Sequence, residues 1–165
     1  LGGLSATKQV GILATTGTVN SQSYVLETAH FFPQVQVHQQ ACPLWVPLIE
    51  NGEAATPGAD YFIKKYANEL LAQHAAIDTV LLGCTHYPII HSQIRACLPP
   101  HIQLVSQGGI VAQSLVQYLE RHPEIDATLT KGGEQRFFTT EQSQNFAQQA
   151  SLFYKSGLLA ETVRL

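Results

Sequence analysis

The sequence predicts an α/β fold in which a parallel sheet is flanked by helices on both faces. Three observations carry this. Short apolar runs alternate with stretches of helical periodicity from residue 10 to residue 122. The apolar runs are too short for helices and are bounded by Gly, Pro or polar turn residues. One of them, Thr79-Val80-Leu81-Leu82, stops in Gly-Cys-Thr-His-Tyr-Pro. In open parallel sheets the turn after a strand points its side chains into a crevice, so this is a place for chemistry.

The elements follow in order. Val10 to Ala14 reads as a strand, then a polar turn "TTGT", then a helix in which Tyr24, Val25, Thr28, Ala29 and Phe32 fall at helical spacing. Ser21 is placed to cap that helix and Pro33 marks its end. Residues 34–39 alternate polar and apolar as a short strand, leading to "ACPLWVPLIENGE", whose two prolines argue against pairing or a helix interior. From Gly58 to Ala76 the pairs Phe62-Ile63, Tyr66-Ala67 and Leu70-Leu71 recur every four residues, an amphipathic helix. The strand at 79–82 is followed by a helix from about Pro88 to Leu98, a strand "IQLVS" and a helix "GGIVAQSLVQYLERH". After the polar, turn-rich "HPEIDATLTKGGEQ" come a strand "RFFTT", a helix with Phe146, Ala150 and Phe153 on one face, and a strand "ETVRL".

Bulk composition narrows the function classes. The 165 residues are 45% hydrophobic, normal for a packed core, and only 13% charged, with a formal net charge of -3. No basic surface is available to hold nucleic acid or an anionic membrane, so the expected partners are small molecules or proteins. No apolar run approaches the roughly 18–20 residues that cross a bilayer and no signal segment opens the chain, so the expectation is a cytoplasmic protein. The three cysteines, Cys42, Cys84 and Cys97, are odd in number and lack CxxC spacing, which supports neither a disulfide framework nor a zinc knuckle. Neither phosphate-loop spacing nor a carboxylate-histidine cluster is present, so no cofactor and no metal are expected. The chain opens at Leu1 and contains no methionine, the expectation for a segment of a longer polypeptide.

Cys84 is the leading candidate for chemistry. A helix start and a nearby imidazole both favour a thiolate, whereas a lone cysteine without such company is usually a small buried hydrophobe. His86, two residues on, can bring its ring to the thiol or to a bound carboxylate. Cys42 has only apolar neighbours and Cys97 sits at a helix end before "LPP", so both read as packing residues. Glu50 precedes the turn signal Asn51-Gly52, where a carboxylate is ordinarily solvated. Folded over the crevice, it would instead orient His86. The hydroxyls of "LATTGTVNS" are placed to cradle a carboxylate or simply to cap a helix.

Together, "GILATTGTVNSQSY", "ACPLWVPLIENGE", "LLGCTHYP" and "FFTTEQSQNFAQQA" resemble bacterial glutamate racemases of the aspartate/glutamate racemase superfamily, over nearly the whole chain. Aspartate racemases share the GCT core but usually follow it with an acidic residue, so His86 favours glutamate. The resemblance implies cofactor-independent interconversion of L- and D-glutamate by two cysteines, supplying D-glutamate for peptidoglycan. One thiolate removes the α-proton and a thiol on the opposite face returns one. It implies Cys84 as one of the pair and Thr85 and His86 as substrate contacts. His86 and Glu50 would help Cys84 exchange its proton, and Thr15 and Thr18 would line the pocket.

The departure from the family pattern matters as much. The aspartate-serine-glycine and alanine-cysteine-asparagine-threonine motifs of the family's first half, the second of which carries the other catalytic cysteine, do not occur in this sequence. Cys42 belongs to a different element and does not replace that cysteine. The resemblance therefore assigns residues 1–107 to the second α/β lobe and residues 108–165 to a segment that returns to the first lobe. The chain is expected to be inactive alone. The apolar faces of helices 109–120 and 142–154 are expected to be poorly covered, favouring self-association or docking of the missing lobe. A non-catalytic amino-acid-binding or interaction module derived from a racemase lobe stays open as the alternative, and a cysteine hydrolase using Cys84 and His86 as a third reading.

Overall fold

The computed structural model describes residues 3–154 and 157–164 and divides into two compact units, Leu1–Ile110 and Val111–Leu165. In the first unit the chain runs β1 (Gln9–Ala14), α1 (Thr16–Ser21), α2 (Ser23–Phe31), β2 (Gln36–Ala41), α3 (Trp45–Glu50), α4 (Pro57–Gln73) and β3 (Thr79–Leu82). A 3-10 turn over Tyr87–Ile90 leads into α5 (His91–Cys97), β4 (Gln103–Ser106) and the start of α6 (Gln107–Arg121). The four strands form an all-parallel sheet of order β2-β1-β3-β4, as expected of alternating strands and helices.

Alternation along the strands sends side chains to two cores. Leu13, Val80 and Leu82 join Trp45, Ile63, Leu70, Tyr87 and Ile94 on the face covered by α3, α4 and α5. Val10, Ile12, Ala14, Leu81 and Val105 form the other core, against which Val19 of α1 and Tyr24 of α2 pack. Helices thus lie on both faces. Because β1 sends its crossover to β2 on one side and β3 lies on its other side, the connection reverses between β1 and β3. Such a switch point opens a crevice at the carboxyl ends of the two strands, and the turns after Ala14 and Leu82 are the ones placed there.

The local elements depart from the sequence expectations in four places. Thr15, not Ser21, is the N-cap of the helix after β1: its hydroxyl accepts from the Thr18 N–H at 3.3 Å. The expected single helix is two, broken at Gln22, whose backbone is left-handed (φ 55°), and Ser21 ends α1 with its hydroxyl donating to the Thr18 carbonyl at 2.8 Å. "WVPLIE" is helical despite its proline. Pro47 is the third residue of α3, in the first turn, where a helix has no carbonyl partner for an N–H. The segment after Pro88 begins as the 3-10 turn and becomes α-helical only at His91.

β2 is an edge strand, and there His38 donates Nε2–H to Gln9 Oε1 at 2.8 Å while its ring stacks on His74, centroids 5.1 Å apart. Burial, and then the His74 charge, lower the His38 pKa from its ordinary 6.5. The fold therefore favours neutral His38, and its contribution to stability is complete above pH 6.5 and lost as pH falls through the lowered value. The unfolding midpoint should fall as the medium is acidified below that point. His38→Gln should flatten this part of the profile, a comparison readable by thermal denaturation at a series of pH values.

The second unit holds the rest of α6, a short α7 (Pro123–Asp126) within the stretch expected to be polar and turn-rich, β5 (Phe137–Thr139), α8 (Ser143–Tyr154) and β6 (Ala160–Thr162). β5 and β6 pair in parallel with α8 as their crossover, and the Tyr154 ring meets Phe137 edge-on at 5.4 Å. Neither α6 nor α8 buries a residue: Val111, Leu115, Val116, Leu152 and Tyr154 are all exposed.

Candidate active site

The turn after β3 is held from both ends by packing. At its start Gly83 lies against β1. A Cβ there would stand 3.1 Å from Ala14 Cβ and 3.2 Å from the Leu13 carbonyl oxygen, a backbone atom that cannot yield. Four residues on, Tyr87 is fully buried, its ring edge-on to Trp45 at 4.8 Å and its hydroxyl donating to the Cys42 carbonyl at 3.4 Å. Glycine and tyrosine pin the turn, and Cys84, Thr85 and His86 are displayed between them.

Cys84 is half-buried, and its Sγ lies 3.8 Å from His86 Nδ1. The other ring nitrogen, Nε2, lies 2.9 Å from Glu50 Oε1. An ionised carboxylate only accepts, so Nε2 carries the hydrogen, and in the neutral ring Nδ1 then presents its lone pair to the thiol. The three groups form a line in which the imidazole can take the thiol proton and return it, and the carboxylate fixes the tautomer that makes this possible. The Glu50 side chain is 41% exposed and that of His86 24%. A pair so open to water adds little to stability, so its consequence is orientation. Glu50 reaches His86 because α3 forms: it is the last residue of a helix anchored at its other end by fully buried Trp45.

A cleft of about 260 Å³ opens beside the thiol, lined by Tyr24, Leu82, Gly83, Cys84, Thr85, Pro88, Gln107 and Gly108. Thr85 is exposed at its rim. Thr15, the N-cap after β1, and Thr18, in α1, stand outside this lining with their hydroxyls 2.9 Å apart. The sequence reading brought together Cys84, Thr85, His86 and Glu50 but missed Gln107 and Gly108 as cleft residues. Their signal was present: "VSQGG" is also a parallel-strand end, with a polar side chain and two glycines immediately after it.

The other thiols differ. Cys42 is buried in the larger core, and burial pushes its pKa far up, with the charges of Glu69 and Cys84 adding to the effect and a hydrogen bond from the Ala14 backbone opposing it. Burial also raises that of Cys97. Among the described residues no group of three or more His, Cys, Asp or Glu is placed to hold a metal ion, and no helix is long and apolar enough to cross a membrane.

No family model matches the chain. It is 32% identical over 143 residues to the glutamate racemase of Sulfurihydrogenibium sp., a match covering 87% of this chain and 51% of that protein. Among solved structures, a glutamate racemase isoform from Bacillus anthracis superposes with a TM-score of 0.87 at 26% identity, covering 99% of this chain and 60% of that one. The Francisella tularensis glutamate racemase, solved in complex with D-glutamate, gives 0.81 at 29% identity, covering 95% of this chain and 58% of that one. The chain spans about half the length of the curated relatives it matches. By sequence and by fold it is similar to the glutamate racemases, matching the C-terminal portion of those proteins over about half their length.

Proposed function

We propose that this chain supplies one half of a glutamate racemase active site, in which Cys84 exchanges the α-proton on one face of the substrate. The Cys84–His86–Glu50 line is the observation that carries the reading. Inverting a carbon requires losing a proton from one side and gaining one on the other, so a second acid/base group must face Cys84 across the substrate. Of the other two cysteines in the chain, Cys42 is sealed in the core and Cys97 lies at the end of α5, beyond the turn that displays Cys84. The resemblance to glutamate racemases makes that opposed group a thiol carried by the family's first half, whose motif these 165 residues lack, and in this reading the chain alone does not racemise glutamate.

In this reading Thr85 and His86 contact the substrate carboxylate or amine, Thr15 and Thr18 border the pocket from the start of α1, and no cofactor takes part. The reaction supplies D-glutamate for peptidoglycan in the cytoplasm. Residues 1–107 correspond to the second lobe and residues 108–165 to the segment that completes the first. The exposed apolar residues of α6 and α8 support that division. A two-stranded sheet with one helix is marginal in water, so this segment needs further strands or a second copy to cover it.

The test joins the chain behind the preceding segment of the Bacillus anthracis enzyme and follows L-glutamate by chiral chromatography. The chimera is expected to form D-glutamate and the 165-residue chain to form none. Conversion by the chain alone, lost on Cys84→Ser, would show that one thiol suffices. A chimera that folds and binds glutamate without racemising it would instead favour a binding module derived from a racemase lobe.

A further inference from the structure

We propose that Gln107 is a positioning residue for Cys84, acting through a clasp it makes with Tyr24 and the Leu82 carbonyl. The inference rests on reading Cys84 as the proton-transfer group. Gln107 is the first residue of α6, directly after β4. Its side-chain Nε2 donates to the Leu82 carbonyl at 3.1 Å and also to the Tyr24 hydroxyl. A primary amide has two hydrogens, and both are used.

What the clasp holds is one peptide plane. The Leu82 carbonyl and the Gly83 N–H belong to the same peptide unit. The N–H donates to the Leu13 carbonyl of β1 at 2.8 Å and the carbonyl accepts from Gln107, so the plane is pinned from the strands on both sides. β3 and β4 pair as far as Leu82 opposite Ser106, and the chain then turns into a helix at Gln107. The amide side chain supplies the donor for the carbonyl of the last paired residue of β3.

This plane is a single residue away from Cys84, and that residue is glycine. The packing of Gly83 on β1 and of Tyr87 on Trp45 fixes where the turn runs, while the Gln107 hydrogen bond fixes the tilt of the plane that the Gly83 torsions pass on to the Cys84 side chain. The Cys84 to His86 separation, 3.8 Å, lies near the outer limit for a sulfur hydrogen bond and tolerates little drift. Tyr24 closes the arrangement from α2: its half-buried ring lines the cleft, and its hydroxyl, having accepted from Gln107, keeps its own hydrogen for a cleft occupant.

The experiment measures alkylation of Cys84 by iodoacetamide in the intact chain, resolved from Cys42 and Cys97 by peptide mass spectrometry, for the wild type, His86→Gln, Gln107→Ala and the double variant across neutral pH. His86→Gln is expected to slow the wild-type reaction. Gln107→Ala is expected to slow it about fivefold, the equivalent of one net hydrogen bond. Adding His86→Gln to Gln107→Ala should then change nothing more, because the imidazole has already lost its partner. Tyr24→Phe, which removes one oxygen, should act in the same direction by a smaller factor, and it carries the same cycle if Gln107→Ala fails to fold. Wild-type rates in both Gln107→Ala and Tyr24→Phe, or effects that multiply independently of His86, would overturn the clasp while leaving the relay intact. A wild-type rate indifferent to His86→Gln would overturn the relay and the clasp together.

Discussion

Trp45→Ala is expected to destabilise the first unit by about 3–5 kcal/mol, as for other large aromatic truncations in cores, and to lower its melting midpoint by more than about 10 °C. Trp45 is 0% exposed, meets Tyr87 edge-on at 4.8 Å and Tyr66 at 6.0 Å, and is the largest of the fully buried side chains. The neighbours that would have to close the cavity, Tyr87, Ile49 and Ile63, belong to three different elements, so collapse is limited. Trp45→Phe should cost much less, about 1–2 kcal/mol. It keeps a ring for the edge-on contact, and it removes the indole N–H, which is buried without a hydrogen-bond partner. Urea denaturation followed by circular dichroism distinguishes the two. Equal losses for Ala and Phe would mean that the indole N–H is satisfied in solution by a group the fold does not supply.

In a chimera with the preceding segment of the Bacillus anthracis enzyme, Cys84→Ser is expected to lower the rate of glutamate inversion by about 10²–10⁴-fold, the range for loss of a positioned acid/base group. A serine hydroxyl has nearly the shape of the thiol but is a far weaker acid, so folding and binding should persist while proton transfer fails. Glu50→Gln should act less severely. The amide still reaches His86 but presents either a donor or an acceptor to Nε2, so the tautomer with Nδ1 facing the thiol is no longer enforced. Its mark should be a reduced turnover with a changed pH profile and little change in KM. An unaltered rate for Cys84→Ser would remove the thiol from the chemistry.

The strands and the GCTHYP turn were legible in the sequence because their signals are local. An apolar run halted by glycine and proline identifies a strand end whatever the rest of the chain does. α3 was not legible. The two prolines of "ACPLWVPLIE" argue against a helix, and only the location of Pro47 in the first turn reconciles them with one. The break at Gln22 was equally hidden, since glutamine gives no advance sign of a left-handed backbone. The contact of Glu50 with His86 spans 36 positions, so the sequence left a solvated loop carboxylate and a partner of His86 both open until the fold brought the two together. Gln107 was missed for a related reason: its side chain matters only because β4 lies beside β3.

The most direct test is solvent isotope labelling of the chimera in D₂O, with L-glutamate and D-glutamate each recovered at low conversion. Two opposed thiols that each carry one proton predict deuterium at the α-carbon of the newly formed enantiomer and none in the unreacted starting one, from either direction. Label appearing in the recovered starting enantiomer as fast as in the product would mean that one group both removes and returns the proton, and would contradict the assignment of Cys84 to a single face of the substrate.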